Sequence, residues 1–545
     1  MSSDHGKLDV APTESETTRM VGNFPRGSRE TQAASVSRET DRSEKARCLK
    51  SDMHAVGESD RSVVPKKPAN NDGVPPSAES VEGRGLTEEN AGQSLLDRTQ
   101  GRKPRSRGLF GVREAAQRDK TMRFNNLLHH LTPELLRASF FDLKKQAVPG
   151  IDGVTWAQYA DGLDARIDDL HGRIHRGAYR AQPSKRGWIP KLDGQLRPLG
   201  ITALEDKIVQ QAAKTVLECI YEQEFLGYSY GYRPRRGGHQ ALDALCVGIK
   251  RRKVNWILDA DVRGFFDNID HAWLMKFLEH RIADPRMLRL LKKWLRAGVS
   301  EKGQWSPTTV GTPQGAVISP LLANVFLHYV LDLWVEAWRK LHARGEVIMV
   351  RYADDFVMGF REEADARRCL ADLRERFAKF GLELHPEKTR LIEFGRYAVE
   401  RRSKRGDGPP ETFDFLGFTH ISGKTRKGDY TIHRISASKK LRNKLQELTK
   451  MLKRKLHDAP AEVGAWLSSV YRGWCQYHAV PGNTIRLQQF RTALQRLWHR
   501  MLRRRSQRGR RLTWEKFTPL SRRWFPTPRI LHPYPEVRFD RLHPR

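Results

Sequence analysis

The sequence predicts an α+β protein in which helices layer on a sheet, followed by an all-helical basic domain and preceded by a disordered tail. Three observations carry that expectation. The runs "EVIMVRYAD" and "DFVMGF" read as two strands meeting at Asp354-Asp355. Helical and extended patterns alternate upstream of them. Beyond about residue 430 the pattern is helical throughout: Val463, Trp466, Leu467, Val470, Tyr471 and Trp474 keep helical spacing, and Leu487, Phe490, Leu494, Leu497, Trp498 and Met501 repeat it.

Taken in order, residues 1–110 are rich in Ser, Thr, Gly, Glu and Asn, and "VVPKKPANNDGVPPSAES" reads as a flexible tether. Order is expected from near Arg113. "NNLLHHLTPELLRASFFDLKK" has helical spacing, which "VPGIDGVT" breaks with Pro and Gly. "GWIPKLDGQLRPLGI" is a hairpin signal around Asp193-Gly194. Ile208, Val209, Ala212, Ala213, Val216, Leu217 and Ile220 line one face of a long helix. "VNWILDADV" is a buried strand running into acid, with helices expected over 270–298 and 314–338. A helix over 363–380 ends at Gly381, a residue suited to the left-handed stop. The expected divisions are 1–110 (tail), 111–420 (α+β) and 431–545 (basic, helical).

Charge narrows the partners. The 545 residues carry 98 Lys+Arg against 64 Asp+Glu, a net +34 that calls for a polyanion. Residues 1–100 hold 14 basic and 17 acidic residues, a net of −3, whereas 431–545 hold 27 and 6, a net of +21. The basic character therefore belongs to the folded part. The five cysteines are scattered without a CxxC pair, which offers neither a zinc knuckle nor a disulfide framework and points to a reducing compartment. No apolar run reaches membrane length and no signal core opens the chain, so a soluble cytoplasmic protein without a membrane partner is expected.

The acids are arranged for chemistry. "LDADVRGFFDNIDH" holds Asp259, Asp261, Asp267 and Asp270, with Asp261 directly after an apolar strand. A hairpin tip at Asp354-Asp355 beside that strand would converge carboxylates from distant parts of the chain. Such charges repel. Divalent cations resolve the conflict, since Mg²⁺ takes one or two carboxylates with phosphate oxygens and water. Alone, "ADD" is more often a solvated turn; the conjunction with Asp261 reverses that preference.

"YADD", "DADVRGFFDNIDH" and "GTPQGAVISPLLANVFLHYVLD" resemble the palm of a reverse transcriptase. With "GIDGVT", "IPKLDGQLRPLGI", "YSYGYRPRRGGHQAL", "GLELHPEKT" and "FDFLGFTH" in that family's order, the chain resembles the group II intron reverse transcriptase/maturases over about residues 112–510. The stretch around "YRGWCQYHAV" is similar to their maturase domain. The resemblance implies right-hand polymerase fingers and palm with an antiparallel palm sheet over 111–420, and a helical thumb/maturase domain over 431–545. Only Cys475 lies beyond residue 430, so it resembles the members that lack a C-terminal endonuclease.

The resemblance implies roles. Asp261, Asp354 and Asp355 would hold two Mg²⁺ ions for phosphoryl transfer, with the Val262 carbonyl completing one shell. Lys191 and Arg197 would clamp the triphosphate of a dNTP. Phe266 would exclude a 2′-hydroxyl by clash, Gln314 would lie against the template–nucleotide pair, and Lys388 would donate a proton to pyrophosphate. Arg233, Arg235 and Arg236 would contact template or intron RNA. Without the family, the lysines and arginines read as solvated cations, Phe266 as core and Gln314 as a helix-terminal polar residue. Trp474 and Tyr477 are assigned to packing. Implied partners are group II intron RNA, a DNA target and primer, and dNTPs, in a bacterial setting; a homodimer is left open. The competing readings are a reverse transcriptase serving another system such as phage defence, an RNA-dependent RNA polymerase, and a splicing factor with a dead palm. The maturase match, Phe266 and the intact aspartates argue against them in turn.

Overall fold

The computed structural model describes residues 107–190, 196–425 and 427–543, so nearly all of the expected tail lies outside the described residues. Its last residues do not. Helix α1 (Arg107–Arg118) begins ahead of the expected start near Arg113, because Leu109, Val112, Ala115 and Ala116 form a buried stripe. Strands β1 (Ser184–Pro190) and β2 (Leu196–Ile201) pair antiparallel from Lys185↔Ile201 to Pro190↔Leu196. Residues 191–195 between them, with the expected Asp193-Gly194 turn, lie outside the described residues. Helix α2 (Leu204–Tyr221) buries the whole apolar set read from the sequence. Helix α3 (Gly238–Arg251) follows, then β3 (Trp256–Ala260).

Helices occupy His271–Glu279 and Pro285–Arg296, as expected. Short strands β4 (Val299–Glu301) and β5 (Gln304–Ser306) extend the first sheet to the order β2-β1-β4-β5. Helix α4 (Ser319–Leu327) then widens into a π-helical turn over His328–Asp332 before Leu333–Leu341 resumes. Strands β6 (Val347–Tyr352) and β7 (Asp355–Phe360) form the expected hairpin, and α5 (Glu363–Ala378) packs behind it. With β8 (Arg390–Glu393) the central sheet is β6-β7-β3-β8, antiparallel throughout. Alternate residues of its strands feed two cores: Leu258, Phe356 and Met358 join one, Ile257, Val350, Val357 and Ile392 the other. Both faces are covered, which is why these strands read as continuous apolar runs.

The expectation of helix throughout beyond 430 needs correction. Strands β9 (Phe413–Phe415), β10 (Phe418–Lys424) and β11 (Tyr430–Ser436) make a third antiparallel sheet, so the helical part starts at Ser438. In "YTIHRIS" the buried residues are Ile432, Arg434 and Ser436. A buried arginine in ion pair with Asp243 at 2.7 Å disguised the period-two pattern.

Helices α6 (Ser438–Arg454), α7 (Pro460–His478) and α8 (Thr484–Arg505) then enclose a core of Leu448, Leu467, Tyr471, Phe490, Leu494, Trp498 and Phe525. Trp474 stacks on Phe490 at 4.5 Å, and the Tyr477 hydroxyl donates to the Leu416 carbonyl at 2.8 Å. The last helix, α9 (Pro535–Leu542), leaves this bundle and lies on α3. There Lys250 pairs with Glu536, Arg251 with Asp540 at 2.7 Å, and Arg538 with Asp243 at 2.7 Å. No described helix is long and apolar enough to cross a membrane, and the four described cysteines are buried with no disulfide among them.

Candidate active site

The β6–β7 turn is two residues long, closed by Tyr352↔Asp355. Its first residue, Ala353, has φ 59°, at a position where hairpins favour Gly. A buried network holds it there. The Arg351 guanidinium donates to Asp332 at 2.7 and 2.5 Å, to Asn324 Oδ1 at 2.9 Å and to the Ala353 carbonyl at 3.0 Å. Arg351 and Asp332 are fully buried. The π-helical turn after α4 carries Asp332 to this spot. Asn324 also donates to the Gly231 carbonyl at 2.8 Å, tying in the loop before α3.

That hairpin presents two acids beside a third. The β3–β7 register ends at Ala260↔Phe356, and Asp261, the next residue, lies close enough to act on both Asp354 and Asp355. Past Asp261 the chain bridges Val262↔Leu384, using the Asp261 carbonyl and the Arg263 N–H. In such a ladder the Val262 carbonyl points from the other edge of the strand. Loss of water raises Asp354 above its ordinary value, and Asp261 adds to it while Arg197 and Arg351 oppose. Asp355 opens to solvent at its tip, but the protein crowding around it removes water. That effect, with Asp354 and Asp261, pushes it up to about 6 against the pull of Lys440. Asp259 is also pushed to about 6, by burial, against Arg390.

Cations surround the acids. Lys388 sits 2.8 Å from Asp261 Oδ2, with its side chain 62% exposed. Arg197, on β2, is close enough to oppose the rise at Asp354. Lys440, at the start of α6, lays its chain over Gly417, where an added Cβ would meet Nζ at 2.9 Å and where φ is 84°. Only Gly fits that turn of "FDFLGFTH". Lys191 lies outside the described residues.

Phe266 and Gln314 form a second cluster. Thr312 N–H donates to the Phe266 carbonyl at 2.8 Å, and Gly311 packs so close that a Cβ would meet that oxygen at 2.9 Å. The Phe266 ring is half-buried, edge-on to Phe265 at 5.4 Å. Gln314 Nε2 lies 3.3 Å from both Asp267 oxygens, and its carbonyl accepts from Gly200 N–H at 2.6 Å. The residues expected at the nucleotide are thus linked to the strand that carries Arg197.

The arginine set is corrected at one position. Arg233 is buried and donates to Glu222 and to the carbonyls of Phe225, Leu226 and Ser229, so its guanidinium has no face for RNA. Arg236 donates to the Gly227 carbonyl at 2.6 Å and lies over Tyr230, whereas Arg235 is exposed. Sequence reasoning missed Arg351, Asp332, Asn324 and Lys440. The signal for Arg351 was present: a charge inside the apolar run "VIMVRY" demands a buried partner.

No three His, Cys, Asp or Glu side chains among the described residues form a closed metal-binding cluster. Mg²⁺ does not require one, because substrate phosphates and water complete its shell. Asp354 and Asp355, each raised in part by Asp261, with Asp261 itself and an outward carbonyl beside them, are a donor set of the right hardness for it.

Comparison with known proteins agrees. The family described as "Reverse transcriptase (RNA-dependent DNA polymerase)" matches residues 189–420. Protein YkfC of Escherichia coli K12 is 31% identical over 374 residues, covering 62% of this chain and 93% of that protein. The group II intron-encoded protein LtrA of Lactococcus lactis subsp. cremoris is 41% identical over 182 residues, 32% of this chain and 30% of that protein. A putative COX1/OXI3 intron 2 protein of Saccharomyces cerevisiae is 36% identical over 182 residues, 32% of this chain and 20% of its own length. The alignments thus span nearly all of the first relative but less than a third of the two intron-encoded ones. The chain belongs to the reverse transcriptase family, among the group II intron-encoded reverse transcriptases and maturases.

Proposed function

We propose that the chain is an RNA-directed DNA polymerase that copies its own intron RNA and assists that RNA's splicing. Residues 111–420 carry the polymerase, and the basic part beyond them acts as thumb and RNA-binding surface. The observation that supports this most is Asp261, at the end of β3, close enough to act on both Asp354 and Asp355 of the β6–β7 hairpin.

Two Mg²⁺ ions, held by Asp261, Asp354, Asp355 and the Val262 carbonyl, would supply charge stabilisation at the attacking and leaving oxygens. Arg197 and Lys191 hold the triphosphate of the incoming dNTP by charge-assisted hydrogen bonds. Phe266 lies under the sugar, and Gln314 against the base pair. Lys388 protonates the departing pyrophosphate. Arg235 and Arg236 border the template path.

Primer extension on an RNA template with Mg²⁺ and dNTPs tests the polymerase. Intron RNA binding across a salt series tests the partner: log affinity falls linearly with log salt, with a slope set by the phosphates neutralised. A flat salt profile or absent extension would overturn the corresponding half. Phe266→Ala should admit ribonucleotides, cutting the dNTP over rNTP preference by about 10-fold or more, since the clash is gone. An unchanged ratio places the gate elsewhere.

A pH dependence follows from Asp355. Its pKa of about 6 lies above the ordinary 3.8, so it begins to take a proton as pH falls through 6. Protons then compete with Mg²⁺ for the same oxygens. The Mg²⁺ needed for half-maximal extension should rise by about 10-fold per pH unit below that point. A requirement independent of pH between 7 and 5 would remove Asp355 from the ligand set.

A further inference from the structure

Between α2 and α3, one residue has a setting that packing does not account for. Tyr232 is 53% exposed and has φ 57°, a left-handed conformation that is costly for a bulky side chain. Both neighbours are locked. Gly231 lies so tightly on the catalytic hairpin that a Cβ there would come within 2.2 Å of the Ala353 nitrogen. Its carbonyl accepts from Asn324 at 2.8 Å. On the other side, Arg233 is buried and anchored to Glu222 and to the Leu226 and Ser229 carbonyls at 2.8 Å. The ring therefore cannot turn into the core. It is held out beside the turn that carries Asp354, where Asp354, Arg197 and Asp355 are the charged groups its hydroxyl feels.

An outward aromatic, kept in a strained conformation by anchors on both sides, is a functional placement. The ligand class follows from its chemistry. A phenol face is a poor partner for a triphosphate, whose charges Arg197 meets. It is a good partner for a base or sugar face, and it is blind to sequence, as a polymerase requires. We propose that Tyr232 is a substrate-contacting residue whose ring packs against the terminal base pair of the primer–template duplex, beside the reacting 3′ end. The proposal rests on the metal-site reading above.

The test compares Tyr232→Gly, Tyr232→Ala and Tyr232→Phe with the parent chain. Gly suits the left-handed backbone, so Tyr232→Gly should unfold at the same denaturant concentration as the parent or a higher one. Its kcat/KM for primer–template extension should nonetheless fall by about 10-fold, the scale of one lost stacking contact. Tyr232→Ala should fall likewise, and Tyr232→Phe should retain the parent value, because the ring and not the hydroxyl makes the contact. A binding readout separates this from the polymerase reading: an RNA–DNA heteroduplex with 2-aminopurine at the primer 3′ end. The parent should quench its fluorescence and Tyr232→Gly should not. Quenching unchanged in Tyr232→Gly overturns the proposal, as does activity that falls only in step with the unfolding midpoint. A parent that quenches but makes no DNA counts against the metal site and leaves the contact standing.

Discussion

Asp354→Ala removes DNA synthesis, lowering primer extension by about 10³-fold or more, while intron RNA binds as it does to the parent. The size follows from the position. Asp354 sits at the hairpin tip with Asp261 near enough to raise it, so the proposed metal site would lose one of its carboxylates when it is truncated. On the proposed reading, RNA affinity comes from the basic surface elsewhere and should be untouched. Stability separates lost chemistry from lost fold. The folded pKa of Asp354 lies above its unfolded value, so its charge opposes folding at neutral pH, and this penalty vanishes as pH falls below the unfolded value. Without added metal, Asp354→Ala should therefore unfold at the same denaturant concentration as the parent or a higher one. Near-normal extension would strike Asp354 from the ligand set.

Asp332→Ala should produce the largest loss of stability. It leaves the fully buried Arg351 guanidinium without its counter-charge, a deficit of about 3–5 kcal/mol, read as a lower urea midpoint at unchanged slope. The double variant Asp332→Leu with Arg351→Met removes both charges and should recover much of the stability. It should not recover extension, because the bond from Arg351 to the Ala353 carbonyl is gone and the left-handed turn has lost its anchor. Recovery of both together would mean that the network serves folding alone.

The parts legible in the sequence were those with strong periodicity or dense chemistry. The long apolar face of α2, the β6–β7 hairpin and the helical bundle all follow spacing that the structure reproduces. The two acidic segments stood out only together, because a lone "ADD" reads as a solvated turn and Asp261 at the end of an apolar strand reverses that reading. What escaped notice depended on tertiary partners. Arg233 looked like an exposed cation, and only Glu222 and three carbonyls make it internal. Arg434 hid a strand for the same reason, since Asp243 lies far from it in sequence. Lys440 offered no local signal, because its relation to Asp355 arises where α6 crosses the "FDFLGFTH" turn.

The ion pairs between α9 and α3 have a mechanical consequence. The basic helical bundle leaves the sheets at Ser438 and its chain returns to the polymerase part on α3 through α9. It is therefore tethered at both ends, like a strap rather than a flap. A single hinge would let such a bundle swing widely when a thick duplex enters. The end of α7 adds a further hold, where Tyr477 donates to the Leu416 carbonyl and Asn483 and His478 meet Ser436, and each hold keeps the others at high effective concentration if one lets go. The joint on α3 consists of exposed or half-exposed ion pairs, Lys250–Glu536 and Arg251–Asp540, beside the buried acid Asp243. Salt loosens the outer pairs and spares the inner one. Ionic strength thus sets how stiff the strap is at its joint with α3, apart from its effect on RNA affinity.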